Sequence, residues 1–189
     1  MGRAVAIAVM LGLAGSSAAA GACELGDVLR ARAAIADSVA AYTEERHVHY
    51  LTEPVQAAGE LRYRSPGHLE MLVRQPKPES FFYQDGVLTI DGGGASGREI
   101  SVDSQILLST LFTALVGTLS GDESKLRGAF DLFFSDSDCA WRLTMIPKAE
   151  RVRGKVEGVE IRGTKARIEQ IVFTLANGDR SVLTIRETE

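Results

Sequence analysis

Apolar and polar positions alternate most densely over residues 42–90, where short segments rich in Tyr, Phe, Val, Leu and Thr are separated by breaks. The breaks fall at Glu53-Pro54, Ser65-Pro66-Gly67, Gln75-Pro76-Lys77-Pro78 and Asp85-Gly86. β-Branched and aromatic side chains suit a pleated, half-buried surface and Pro and Gly interrupt it, so the stretch predicts an antiparallel meander of about five strands. Strand alternation also assigns faces. Tyr42, Arg46, Val48 and Tyr50 share one face of the first strand, opposite Thr43, Glu45, His47 and His49. In the next two strands Leu61 and Tyr63, then Leu69, Met71 and Val73, form an apolar face, with Glu60, Arg62, Arg64, Glu70 and Arg74 opposite. One side of this sheet is oily and the other wet. Asp85-Gly86 is the strongest hairpin signal, and the glycine tract over residues 91–97 reads as a flexible turn.

Elsewhere the period changes. Residues 27–41, with Val28, Leu29, Ile35, Val39 and many alanines, predict an amphipathic helix. Residues 103–117 predict a second one, opened by Asp103 as a cap. Its apolar set (Ile106, Leu107, Leu108, Leu111, Phe112, Leu115, Val116) is broader than a single stripe needs. A helical turn over 122–126 follows. Strand patterns resume at 129–135, at 139–146 with Trp141, Leu143 and Met145 on one face, and at 158–162, 166–175 and 180–186. The whole reads as about ten strands with two or three helices and no internal repeat or linker.

The first 22 residues carry Arg3, an apolar run and a small-residue tract ending Ala20-Gly21-Ala22, the pattern of a secretory signal peptide. The apolar run is well short of the ~20 residues a membrane span needs. Residues 23–189 then form one domain. Cleavage after Ala22 leaves Cys23 first, but no large aliphatic residue stands three positions before it, which favours a soluble exported protein over a lipidated one. In an oxidising compartment Cys23 and Cys139 are a candidate disulfide, worth ~3 to 5 kcal/mol, with two unpaired thiols as the alternative. Removing Arg3 from the 21 Lys+Arg leaves 20 against 25 Asp+Glu, a net charge of -5. Without clustered basic residues, nucleic acid is excluded as a partner. Lys148, Arg151, Arg153 and Lys155, mixed with Glu150 and Glu157, read as a solvated strand edge or turn.

Candidate chemistry is sparse. His47 and His49, as H-x-H on one strand face, with Glu45 beside them and His68 as a third ligand, define an exported metal-dependent hydrolase as the competing reading. His68 is expected two strands away, roughly 9 to 10 Å across the sheet, too far for three ~2.1 Å bonds, so no metal or other cofactor is expected. The glycine tract lacks the Lys-Ser/Thr of a phosphate loop, and no G-x-S-x-G elbow exists. Asp136 and Asp138 read as turn residues. A non-catalytic envelope module binding a protein partner through a sheet edge is the third reading.

Large apolar residues are plentiful: Met71, Phe81, Phe82, Tyr83, Phe130, Phe133, Phe134, Trp141 and Met145 accompany the second helix. Such a sheet either packs them all as core or curls into a half-barrel around a cavity with the helix as a movable lid between glycine-rich turns. From residue 27 to residue 184 the chain resembles the outer-membrane lipoprotein carrier protein (LolA-like) family. The resemblance rests on Gly59-x-Leu61-x-Tyr63 before Pro66, Pro76-x-Pro78 before an aromatic strand with its Asp-Gly turn, and the middle apolar helix with Leu119-Ser120-Gly121-Asp122. Trp141-x-Leu143-x-Met145-x-Pro147 and Gly178-Asp179-Arg180-Ser181 complete it.

The resemblance implies a mainly antiparallel, curved and unclosed barrel capped by helices around a hydrophobic cavity. It implies a periplasmic, monomeric, non-enzymatic carrier of lipoproteins or other acylated lipids, with an inner-membrane donor and an outer-membrane acceptor. Leu61, Tyr63, Leu69, Met71, Val73, Phe81, Trp141, Leu143 and Met145 would line the cavity, and Leu107, Leu111, Phe112 and Leu115 the lid. Ser65 stands where the best-known carriers place a basic residue before the strand-two proline, which widens the cargo to other acylated lipids.

Overall fold

The computed structural model describes residues 23–92 and 95–187. Residues 1–22, read as a signal peptide, lie outside the described residues, as do Gly93 and Gly94 of the glycine tract. Helix α1 (Leu25–Ala33) precedes β1 (Asp37–His47), β2 (Val55–Arg64), β3 (His68–Gln75), β4 (Glu79–Gln84), β5 (Val87–Gly92) and β6 (Ala95–Ser101). A 3-10 turn (Val102–Ser104), α2 (Ile106–Leu119) and α3 (Glu123–Ala129) follow. The chain ends in β7 (Phe130–Ser137), β8 (Ala140–Pro147), α4 (Glu150–Arg153), β9 (Val156–Thr164), β10 (Arg167–Leu175) and β11 (Arg180–Glu187).

All eleven strands form one sheet in the order β6-β5-β4-β3-β2-β1-β11-β10-β9-β8-β7. Two meanders are spliced where β1 pairs antiparallel with β11, from Ala40 opposite Glu187 to His47 opposite Arg180. β6 and β7 are the two edges, so the barrel is unclosed, and the chain travels between them through α2 and α3.

The strand breaks fall where Pro and Gly predict them, but five expectations are corrected. Asp136, expected in a turn, is a strand residue of β7 opposite Trp141. Helix α1 stops at Ala33, and residues 37–41, expected as helix, open β1. Their backbone groups are taken by two ladders, with β2 and with β11, and this non-local pairing overrides alanine's helix propensity. Asp103 lies in the 3-10 turn, and Gln105 is the residue that precedes α2. The end of the glycine tract is strand β6, paired with β5 from Ala95 to Ser101. Of the two readings of the basic segment after Pro147, a strand edge or a turn, the strand edge is corrected: it forms the one-turn helix α4, followed by a turn at Gly154 and Lys155.

Helices α1 and α3 cover the inward face of the C-terminal meander. Leu25, Val28 and Leu29 of α1, Ala114 of α2 and Leu126 of α3 meet Phe130, Trp141, Leu143, Met145, Val159 and Ile161 in one core. Close helix approach depends on missing side chains: a Cβ on Gly117 would sit 2.6 Å from Leu126 Cδ2. Cys23 and Cys139 are disulfide-bonded, which ties the start of α1 to the β7–β8 turn across 116 residues. Loops of this length are worth about 4 to 5 kcal/mol in the chain-entropy account. Trp141 Nε1 donates to the Lys165 carbonyl at 2.8 Å, so the indole satisfies its polar atom while buried.

Leu143 is 0% exposed, so Leu143→Ala should lower stability by about 2 to 5 kcal/mol in urea unfolding. Leu61, half-buried on the other half of the sheet, should lose less than about 1.5 kcal/mol on the same truncation. Equal losses would show that both halves are equally packed.

Candidate functional site

On the other half of the sheet the inward positions meet no covering core. In β1 these are Ser38, Ala40, Tyr42, Glu44 and Arg46, and the register carries the same face through Leu61 and Tyr63 of β2, Met71 and Leu69 of β3, and Phe81 and Tyr83 of β4. With Leu183 and Ile185 of β11 and one side of α2, these residues other than the buried Tyr42 line a cavity of about 820 Å³, inside the ~300–1,000 Å³ usual for small-molecule sites.

Helix α2 has two faces with different tasks. Thr110, Ala114, Gly117 and Thr118 are buried; the Thr110 and Thr118 hydroxyls donate back to the Ile106 and Ala114 carbonyls, which lets them sit in an apolar contact. Leu107, Leu111, Phe112 and Leu115 face the cavity. Phe112 stacks on Tyr83 at 4.1 Å and fastens the helix to β4.

Of the residues expected to line the cavity, Leu61, Tyr63, Leu69, Met71, Val73, Phe81 and the four from α2 do so. Trp141, Leu143 and Met145 do not. They face inward on β8 but lie in the closed core beneath α1 and α3, 3%, 0% and 0% exposed. Phe133 points outward and is 61% exposed. Lining residues that sequence reasoning missed include Ile168, Ile171, Phe173, Leu183 and Ile185. Their alternation was legible, but placing β11 beside β1 requires the long-range pairing.

The wall carries charge at one end. Glu44, 6% exposed, accepts hydrogen bonds from the Ser181 hydroxyl and from Arg46 Nη2 at 3.0 Å. Register places Arg46 opposite both Val55 and Ser181. Lys77, Glu79, Asp179 and Arg180 line the same end, and Val55 there is 44% exposed. At the other end of the wall, α2 lies close to Gly67 through Val116, and the turn after it lies close to α1 through Gly121.

The histidines do not converge. His47 ends β1 on its outward face, whereas His68 pairs with Arg64, which pairs with Asp37 at the opposite end of β1. Ten residues of strand separate those ends by roughly 33 Å. His49 lies beyond β1, its Nδ1 2.8 Å from Asp179 Oδ1, and His68 Nδ1 is 3.2 Å from Gln84 Oε1. Among the described residues no three His, Cys, Asp or Glu are placed to hold a metal ion. The backbone and ring hydrogen bonds from His49 hold the Asp179 carboxyl below the usual carboxylate range. Among the described residues no helix is long and apolar enough to cross a membrane.

A family model described as outer membrane lipoprotein carrier protein LolA-like matches residues 17–184. The chain belongs to the LolA-like family. No curated protein matches it. Solved structures similar to this LolA-like chain include a LolA superfamily protein from Nitrosomonas europaea, 9% identical, covering 89% of this chain and 95% of that one at a TM-score of 0.44. A lipoprotein-sorting protein domain from Vibrio parahaemolyticus is 12% identical over 87% and 91%, at 0.47. MucB in its complex with MucA from Pseudomonas aeruginosa is 16% identical over 85% of this chain and 55% of that chain, at 0.47. These likenesses concern the course of the chain and carry no functional weight.

Tyr42 is 2% exposed and its hydroxyl has no hydrogen-bond partner among the described residues. Burial pushes its pKa up to about 12; Glu44 adds to the rise and Arg46 opposes it. A phenol raised in the folded state contributes stability that is complete below the unfolded value near 10 and is lost as pH rises toward 12. Chemical unfolding across that window should show an alkaline loss that Tyr42→Phe reduces, Tyr83 also being raised by burial, and absorbance titration of the wild type should show a phenolate near pH 12 that Tyr42→Phe lacks. An unchanged alkaline profile in Tyr42→Phe would refute the assignment.

Proposed function

We propose that this LolA-like chain is a periplasmic carrier that shields the acyl chains of a lipoprotein or another acylated lipid and passes them toward the outer membrane. The observation that carries the reading is the cavity of about 820 Å³, walled by apolar side chains from both meanders and by the Leu107, Leu111 and Leu115 side of α2. Burial of apolar surface is non-directional and roughly proportional to area, so such a wall takes a flexible chain without chemistry. In this reading residues 1–22 direct export, residues 23–189 form one carrier domain acting as a monomer, and a donor and an acceptor at the two membranes load and unload it. It uses no cofactor and catalyses nothing. The metal-hydrolase alternative loses its ligand set because His47, His49 and His68 do not meet.

Helix α2 serves as the lid, with a correction to how it is hinged. Strand β6 stands between the glycine tract and the helix, so no glycine hinge precedes it. Its C-terminal half, with Ala114, Val116, Gly117 and Thr118 buried, is the anchored part; the half carrying Leu107 and Leu111 is the part that gives way to cargo.

Native mass spectrometry of protein taken from its own periplasm should show acylated species bound. Leu111→Asp should weaken binding of a fluorescent fatty-acid probe by roughly tenfold or more, the scale of one lost apolar side-chain contact, while circular dichroism and the unfolding midpoint stay near wild type. If that substitution unfolds the protein, α2 is plain core and the lid fails; if neither native cargo nor probe binds, the carrier reading fails.

A further inference from the structure

The cavity wall carries a cluster of charged side chains at one end, where Arg46, Lys77 and Arg180 are the cations and Glu79 stands among the carboxylates. Glu44 is committed to the Ser181 hydroxyl and to Arg46, and Asp179 to His49 and Asn177. Arg46 uses one contact of a guanidinium that carries five N–H donors, and its side chain is 57% exposed. Lys77 and Arg180 line the same end.

From these contacts we infer that the cargo bears an anionic oxygen headgroup, a carboxylate or a phosphate, which Arg46 holds at this rim while the acyl chain runs inward toward α2. The inference rests on the carrier reading and names the class of lipid. Glu44 and Ser181, on neighbouring strands, fix the guanidinium in place, so a planar fork is presented to the headgroup instead of a mobile side chain. The wall from Arg46 to Ser38 is eight strand residues, roughly 26 Å, which gives a long chain room to extend.

The opposite orientation would meet less exposed polar groups. Arg32 at the far end is 1% exposed and donates to the Ala166 carbonyl at 3.0 Å. The Tyr63 hydroxyl is sealed from solvent. Both residues line the cavity with their polar atoms buried, whereas the Arg46 side chain is 57% exposed.

The test compares hexadecanoic acid, hexadecyl phosphate and hexadecanol, all below their micelle concentrations, as displacers of the neutral apolar dye N-phenyl-1-naphthylamine at neutral pH and low salt. The wild type should bind the acid or the phosphate about tenfold or more tighter than the alcohol, the scale of a charge-assisted hydrogen bond, and whichever anion leads identifies the headgroup. Arg46→Gln should narrow that ratio to about threefold or less, and Arg46→Lys, which keeps the charge but not the fork, should fall between. If the three ligands bind the wild type alike, the headgroup inference is overturned while the carrier reading stands. If dye and ligands all fail to bind, both fall. A ratio that survives Arg46→Gln but collapses in Tyr63→Phe overturns the inference in favour of a headgroup buried at the far end.

Discussion

Everything in this molecule depends on the pairing of β1 with β11. Each meander is locally connected, but this seam joins residue 43 to residue 184, and only after it forms does one curved eleven-strand sheet exist. Closing so long a loop is entropically unfavourable, and the seam is sustained by eight residue pairs and by the inward contacts of Tyr42 with Ile185 and Glu44 with Leu183 along the register. It also builds the charged end of the cavity, since Arg46 and Ser181 come from opposite ends of the chain and meet only there. A weakened seam would therefore remove the cavity wall and the polar rim together.

The same alternation of inward side chains leads to two outcomes on the two halves of the sheet. Over β7, β8 and β9 the inward Phe130, Trp141, Leu143, Met145 and Ile161 are matched by α1, α3 and the buried side of α2. The disulfide, Gly117 and Gly121 hold those helices close, because a Cβ at either glycine would collide with a neighbour. Over β2 to β5 no second layer arrives except the other side of α2, so equally apolar positions remain as wall. Small inward residues, Ser38 and Ala40 on β1 and Ala57 on β2, leave space along that wall. Packing density decides between core and cavity here, since hydrophobicity is the same in both.

This explains what could be read from the residues and what could not. The strand breaks were legible because Pro and Gly act locally, and the surplus of apolar positions on α2 was legible because it exceeds one stripe. That Trp141, Leu143 and Met145 are core while Leu61 and Met71 are wall was not, because all five sit on identical alternating patterns and only the distant helices distinguish them. The end of α1 was missed for a related reason: residues 37–41 have helical composition, and their strand partners lie on β2 and on β11, at the far end of the chain. Family resemblance supplied the unclosed barrel, which local patterns alone left open against a closed core.

An apolar cavity of this size constrains how the protein can function. Left dry, about 820 Å³ would leave its apolar lining without partner atoms, which costs packing energy. The space is therefore better filled by water, by α2 settling against the wall, or by apolar cargo, and these compete. Water on such a wall has few polar partners, so displacing it with an acyl chain is favourable over most of the surface. That gain is indifferent to which acyl chain enters. Selectivity has to come from directional groups, and in this cavity those include Glu44, Arg46 and Ser181 at the charged end. In the carrier reading proposed above, affinity and choice of cargo would therefore be set by different residues: the wall would determine how tightly a chain is held, and the rim whose chain it is.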